Sequence, residues 1–291
     1  MPGPPRPGPG ESQVRGGRQG TPARRGRGGY RRDARDVDYE GHQREGLRQS
    51  SLVHGADHGR VHRRRARRGL VRAAGNRTKE SITSFEILEK YAGVLVRDDY
   101  GGYVSYDPQL AGVQQCTAHL LRYLDDAHEI DKVTQVWARQ VADVLRAAIK
   151  AVKTARESGL TCLDADVLTD LRTRYDQGVA VGISANLSRP WPRTGNHPGL
   201  QLANRLHRKA DQVWLFTERF DVPPTNNGSE SAVRGYKLAV KVSGCWRSLA
   251  TLKRHCRIRS YLTSSRNHGV RTIDAVRDAL SATPWMPPVP A

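Results

Sequence analysis

At 291 residues the chain is long enough for one large domain or two modest ones, and its 37% hydrophobic content allows a sizeable core. A formal net charge of +19 points to a polyanionic partner, of which nucleic acid is the commonest. Cys116, Cys162, Cys245 and Cys256 include no Cys-x-x-Cys pair, which excludes a disulfide scaffold, and no apolar run reaches the length of about 18 residues that a membrane span needs. With no apolar segment behind the N-terminal arginines to act as a secretory signal, a cytoplasmic, nucleoid-associated location is expected.

The first 75 residues differ from the rest. They hold 18 Arg and 7 acidic residues, 15 of the 28 Gly, and no Lys, Ile, Phe, Trp, Cys or Asn. Neither a helical nor a strand period runs through them, so residues 1–75 are expected to be a disordered Arg/Gly-rich arm. Two readings fit it. One is a basic tail that holds nucleic-acid phosphates without sequence preference. The other is translation of GC-rich DNA out of frame, which yields Arg, Gly and Pro but little Lys.

Order is expected from near Asn76. Ser81–Tyr91 reads as a short helix, and Gly93–Val96 as a buried strand followed by a turn through Tyr100–Tyr103. Cys116–His128 reads as a helix with Leu120, Leu121 and Leu124 on one face. Ile130–Ser158 reads as a long amphipathic helix with Val133, Val136, Trp137, Val141, Val144, Leu145 and Ile149 inward, closed by Gly159. A third helix follows over Leu163–Gln177, a loop over Gly182–Gly199, and a fourth helix over Leu200–Phe220. Pro223-Pro224-Thr225-Asn226-Asn227 breaks the chain before a new helix. Helices near Ser248–Ser264 and Thr272–Ser281 precede a Pro-rich tail, Pro284–Ala291, expected to be unstructured.

Cutting and joining phosphodiesters calls for two divalent ions roughly 3.5–4 Å apart, held by a few carboxylates on rigid elements. Asp98 stands at a strand end and Glu230 just inside a helix. Singly, each is weak: such an Asp is usually a turn former, and such a Glu usually complements the helix dipole.

Their surroundings strengthen them. Arg77-Thr78-Lys79-Glu80, Tyr91 to Tyr103 around Val96-Arg97-Asp98-Asp99, Cys116-Thr117-Ala118-His119, Val222-Pro223-Pro224-Thr225-Asn226-Asn227-Gly228-Ser229-Glu230 and Ser243-Gly244-Cys245-Trp246-Arg247 occur in one order. Together they resemble the catalytic core of the insertion-sequence-sixty-six family of Asp-Asp-Glu transposases, over roughly residues 73–287. The resemblance implies an α/β, RNase H-like core that is mostly α by content, incomplete at its N-terminal strands, spanning 76–283 with a helical insertion at about 116–220. It implies that Asp98 and Glu230 are catalytic and bind Mg²⁺ or Mn²⁺, two ions with a first Asp. The substrate would be duplex DNA at transposon ends and target, cut and joined by a homo-oligomer with accessory transposition proteins.

Cys116 and His119 look like the Cys-x-x-His element of such transposases. A zinc site would need two more ligands, so packing or hydrogen bonding is the favoured role. Arg234, Lys237 and Lys241 share a helix face by spacing and, with Arg247, form the expected DNA-binding set; Lys253, Arg254, Arg257 and Arg259 extend the basic surface. On spacing alone the same face could simply be solvated.

Two departures bear on activity. The family's first Asp lies in an Asp-Glu-Thr context on an early strand, and residues 1–75 contain none: Asp33, Asp36, Asp38 and Asp57 all sit among Arg and Gly. Ser231 stands where the family usually has Arg. The expectation is a defective enzyme, or a non-enzymatic, basic nucleic-acid-binding remnant.

Overall fold

A computed structural model describes residues 3, 69–76, 78–192, 194–234 and 248–288. All but Gly3 belong to the unit Glu45–Ala291. Among the described residues helix predominates, with one two-stranded parallel sheet, a content compatible with the α/β class.

The expected first helix breaks early. Helix α1 covers only Lys79–Thr83, capped by the Thr78 hydroxyl on the Ser81 amide. Glu86 then takes φ of 54°, which no helix interior permits, and a 3-10 turn follows at Leu88–Lys90. Strand β1 (Val94–Arg97) lies within a residue of the expected strand. Its partner β2 (Gly112–Gln115) was not legible, because two of its four residues are glutamines. Both are nonetheless buried and bonded. The Gln114 amide nitrogen donates to the Val213 carbonyl (3.1 Å), its oxygen accepts from the Phe216 amide (2.8 Å), and Gln115 donates to Gln212 (2.8 Å). A polar strand is buried at little cost when every amide finds a partner.

Five helices then build one apolar core: α2 (Thr117–Ile130), α3 (Val136–Glu157), α4 (Ala165–Asn186), α5 (Pro198–Arg208) and α6 (Ala210–Glu218). Trp137, Val141, Val144 and Leu145 of α3 meet Leu120 and Leu124 of α2, Tyr175 of α4, Leu206 of α5, and Trp214 and Phe216 of α6. Fully burying such a side chain contributes about 1.5–3 kcal/mol. Tyr175 sets its ring edge-on to Trp214 and donates to the Leu206 carbonyl at 3.1 Å; burial raises the pKa of its hydroxyl.

Three boundaries differ from expectation. Helix α3 starts at Val136 because Asp131 turns the chain, accepting from the Val133 and Thr134 amides; Val133 and Val136, expected inside, are exposed. Its C-terminal end follows the sequence: Gly159 adopts φ of 77°, with Gly159 N–H to Arg156 O and Leu160 N–H to Ala155 O closing a Schellman motif. Helix α4 runs past Gln177 to Asn186, through two glycines that ordinarily weaken a helix. The expected single helix over Leu200–Phe220 is two, α5 and α6, hinged at Lys209.

Beyond Pro223–Pro224 the chain is helical over 227–234 (α7), then forms α8 (Leu249–Asn267) and α9 (Thr272–Leu280). Residues 69–74, assigned to the arm by composition, lie extended along α8. Val71 N–H donates to Ser260 Oγ (2.8 Å) and Gly69 N–H to Ser264 Oγ (3.0 Å), while Val71 and Ala73 bury against Leu252 and Cys256. The Pro-rich tail has no regular element, yet Trp285 N–H donates to the Tyr261 hydroxyl (3.1 Å) and its ring packs on His268.

Candidate catalytic and DNA-binding site

Asp98 is the first residue after β1 and half-buried; its carboxylate accepts weakly from the Tyr100 amide at 3.4 Å, the turn role expected of an Asp there. Arg97 fixes the strand end. In its buried guanidinium, Nη2 donates to both Asp107 carboxylate oxygens (3.0 and 2.8 Å) and Nη1 to the Asp98 carbonyl (3.2 Å). Asp99 faces another way. It pairs with Arg205 of α5 (3.1 Å) and with Lys209 at the α5–α6 hinge, so it ties the helical unit to the strand end.

Cys116 is the joint between the two halves of the candidate site. Its N–H donates to the Arg97 carbonyl (2.8 Å), directly before Asp98. Its buried Sγ accepts from the Asn226 N–H (3.4 Å). Thr117 N–H and Thr117 Oγ1 both donate to the Pro224 carbonyl (2.9 and 2.7 Å), clamping the proline loop onto the first turn of α2. Asn226 O in turn accepts from Glu230 N–H (3.1 Å), starting α7. One turn along α2, His119 Nε2 lies 3.4 Å from Glu230 Oε1. Residues 132 positions apart in sequence are thereby linked through Cys116 and His119. Among the described residues, the buried Asn226 Oδ1 and His119 Nδ1 atoms have no hydrogen-bond partner.

Tyr123 completes the surround. Its ring lies 6.3 Å from that of His119 and under the Arg205 guanidinium at 4.7 Å. Burial raises the pKa of its hydroxyl; Arg205 opposes this, and Asp98 and Asp99 add to it. Sequence reasoning missed Asp99, Tyr123, Arg205 and Lys209 as a group. Only the i,i+4 spacing of Arg205 and Lys209 was visible, and nothing in the sequence ties them to residue 99.

A model of the Transposase IS66 family matches residues 60–254. The chain belongs to the IS66 transposase family. No curated protein and no solved structure matches it. The family match contains Asp98, Cys116, His119 and Glu230, and it begins 16 residues before the expected onset near Asn76. A transposase acts on DNA, so the family implies a DNA substrate for this chain. No helix among the described residues is long and apolar enough to cross a membrane.

The donor set can be tested against the metal chemistry that the resemblance implied for this transposase. Hard divalent ions need several oxygen ligands, and a two-ion site needs at least three carboxylates. Among the described residues no three His, Cys, Asp or Glu side chains cluster as a metal site. Asp99, the neighbouring carboxylate, is neutralised by two cations, and Glu230 already faces His119. The described residues therefore do not fit a two-ion centre. Asp33, Asp36, Asp38 and Asp57 lie outside them, as do Lys237, Lys241, Cys245 and Arg247. Arg234, the last described residue of α7, is exposed.

Proposed function

We propose that this chain is a transposase of the Asp-Asp-Glu type whose strand-cleaving activity is lost or nearly so, and that it keeps the ability to bind duplex DNA. Strand cleavage and strand transfer of an insertion sequence is the ancestral reaction, with Asp98 and Glu230 as two of its carboxylates. The observation that carries this reading is that the strand end just before Asp98 and the helix that carries Glu230 are both bonded to the start of α2, through Cys116 and His119. Loss of activity follows from the donor set, because two carboxylates hold two ions poorly.

A homo-oligomer, accessory transposition proteins and a nucleoid location belong to the same reading. The test incubates the full chain with a plasmid carrying the element's own ends, in Mg²⁺ and then in Mn²⁺. The expected result is no cleavage above background. Metal-dependent cleavage that disappears in Glu230→Ala would overturn the claim of lost activity while supporting the assignment of Glu230.

A further inference from the structure

The charge of the family-like region is not evenly spread. Residues 76–218, which include the helical unit, hold 18 Lys and Arg against 18 Asp and Glu, a net of zero. Residues 219–291 hold twelve against four, a net of +8. Helix α8 concentrates this surplus: Lys253, Arg254, Arg257, Arg259 and Arg266 occur in its 19 residues, with no Asp or Glu. On a solvated helix face, acidic neighbours three or four residues away stabilise such cations. Helix α3 is built that way, with Arg139 and Arg146 on Asp143 and Lys153 on Glu157. On α8, Lys253, Arg254 and Arg257 are exposed, and among the described residues no carboxylate pairs with any of them. Three like charges within two turns repel one another until a polyanion neutralises them.

Two packing contacts say where that polyanion would run. The buried side of α8, Leu252 and Cys256, packs with Ala232 and Val233 of α7, two and three residues beyond Glu230. Helix α8 therefore packs on the helix that carries the candidate carboxylate, with Lys253, Arg254 and Arg257 at exposed positions. On the same helix, Ser260 and Ser264 hold the backbone of Gly69 and Val71. In the sequence, a run of six arginines in residues 60–68 ends one peptide bond before Gly69.

We propose that the exposed face of α8 made by Lys253, Arg254 and Arg257 holds the phosphate backbone of duplex DNA beside Glu230. This rests on the reading of the chain as a DNA-binding transposase and names the surface. The contacts are to phosphates, so they position the duplex without reading its sequence.

The test titrates the full chain with a fluorescent random-sequence 30-base-pair duplex between 50 and 200 mM salt. Lys253→Gln/Arg254→Gln/Arg257→Gln changes only exposed side chains, and circular dichroism checks that its helix content is retained. A matched control, Lys150→Gln/Lys153→Gln/Arg156→Gln, removes three cations from α3. Each lost phosphate contact lowers the slope of log affinity against log salt by about 0.9, so the α8 variant should lose about 2.7. Over this fourfold salt range its affinity should change about 40-fold less than that of the unaltered chain. The control should keep the original slope. An α8 variant that binds with the original affinity and slope, or a control that loses as much, overturns the assignment of α8 and leaves the transposase reading standing. An unaltered chain that does not bind the duplex overturns both.

Discussion

Gly182 sits inside α4 with no room for a side chain: a Cβ there would come within 2.5 Å of the Trp137 ring. On an open helix Gly→Ala stabilises by up to about 1 kcal/mol. Here overpacking should reverse the sign, so Gly182→Ala is expected to destabilise the chain by about 1–3 kcal/mol, read from its denaturation midpoint. A midpoint that rises would mean that α3 and α4 do not approach this closely. His197 is buried at the start of α5. Its Nδ1 accepts from the Gly199 amide and caps α5, a bond that requires the neutral ring. Burial holds its pKa below the usual histidine value, with Arg189 adding to the effect and Asp131 opposing it. A depressed folded pKa means the unfolded chain binds the proton first. Stability is thus full above about pH 6.5 and is lost as the pH falls toward the folded pKa. His197→Asn keeps a capping acceptor that does not titrate. It should flatten the fall in melting temperature between pH 7.5 and 5.5; an unchanged fall would remove His197 as its cause.

Between elements, polar bonds do the aligning that apolar packing cannot. Strand β2 is registered on α6 by the Gln114 side chain, which answers both the Phe216 amide and the Val213 carbonyl. Gln114→Leu keeps the volume and strands both backbone groups, at about 1–3 kcal/mol each. Urea unfolding should register the sum; a neutral result would mean that water or another side chain takes over. The α5–α6 hinge works in a similar way. The chain turns at Lys209, and Lys209 and Arg205 both reach Asp99 beside the candidate catalytic strand end. The helical unit is in this manner tied to the residue next to Asp98.

Among the described residues, the buried apolar side chains fall into three clusters of unequal size. The largest lies among α2 to α6. A second gathers Ile82, Leu88, Leu95, Tyr103 and Tyr106 beside β1, and the smallest joins α8 to the 69–74 strap. Opening free energy follows the apolar area that each unit buries. Amide hydrogen exchange should therefore be slowest in α3 and markedly faster in α8. Equal protection in the two helices would show that α8 opens only with global unfolding.

The helices with strong periodicity, the glycine that closes α3, the strand just before Asp98 and the motif order that identifies the family are all written in the local sequence. These are local: a period, a cap or a turn is written in residues that touch one another. Folding in three dimensions set the rest. It carried α4 through Gly178 and Gly182, because Val141 and Trp137 need the space. It made a strand of Gly112–Gln115, because glutamine amides found partners about 100 residues away. It also gave Asp99 to Arg205 and Lys209 while linking the neighbourhood of Asp98 to Glu230 through Cys116. Adjacent aspartates look equivalent in a sequence. Their roles separate only when folding sets a pair of cations beside one of them.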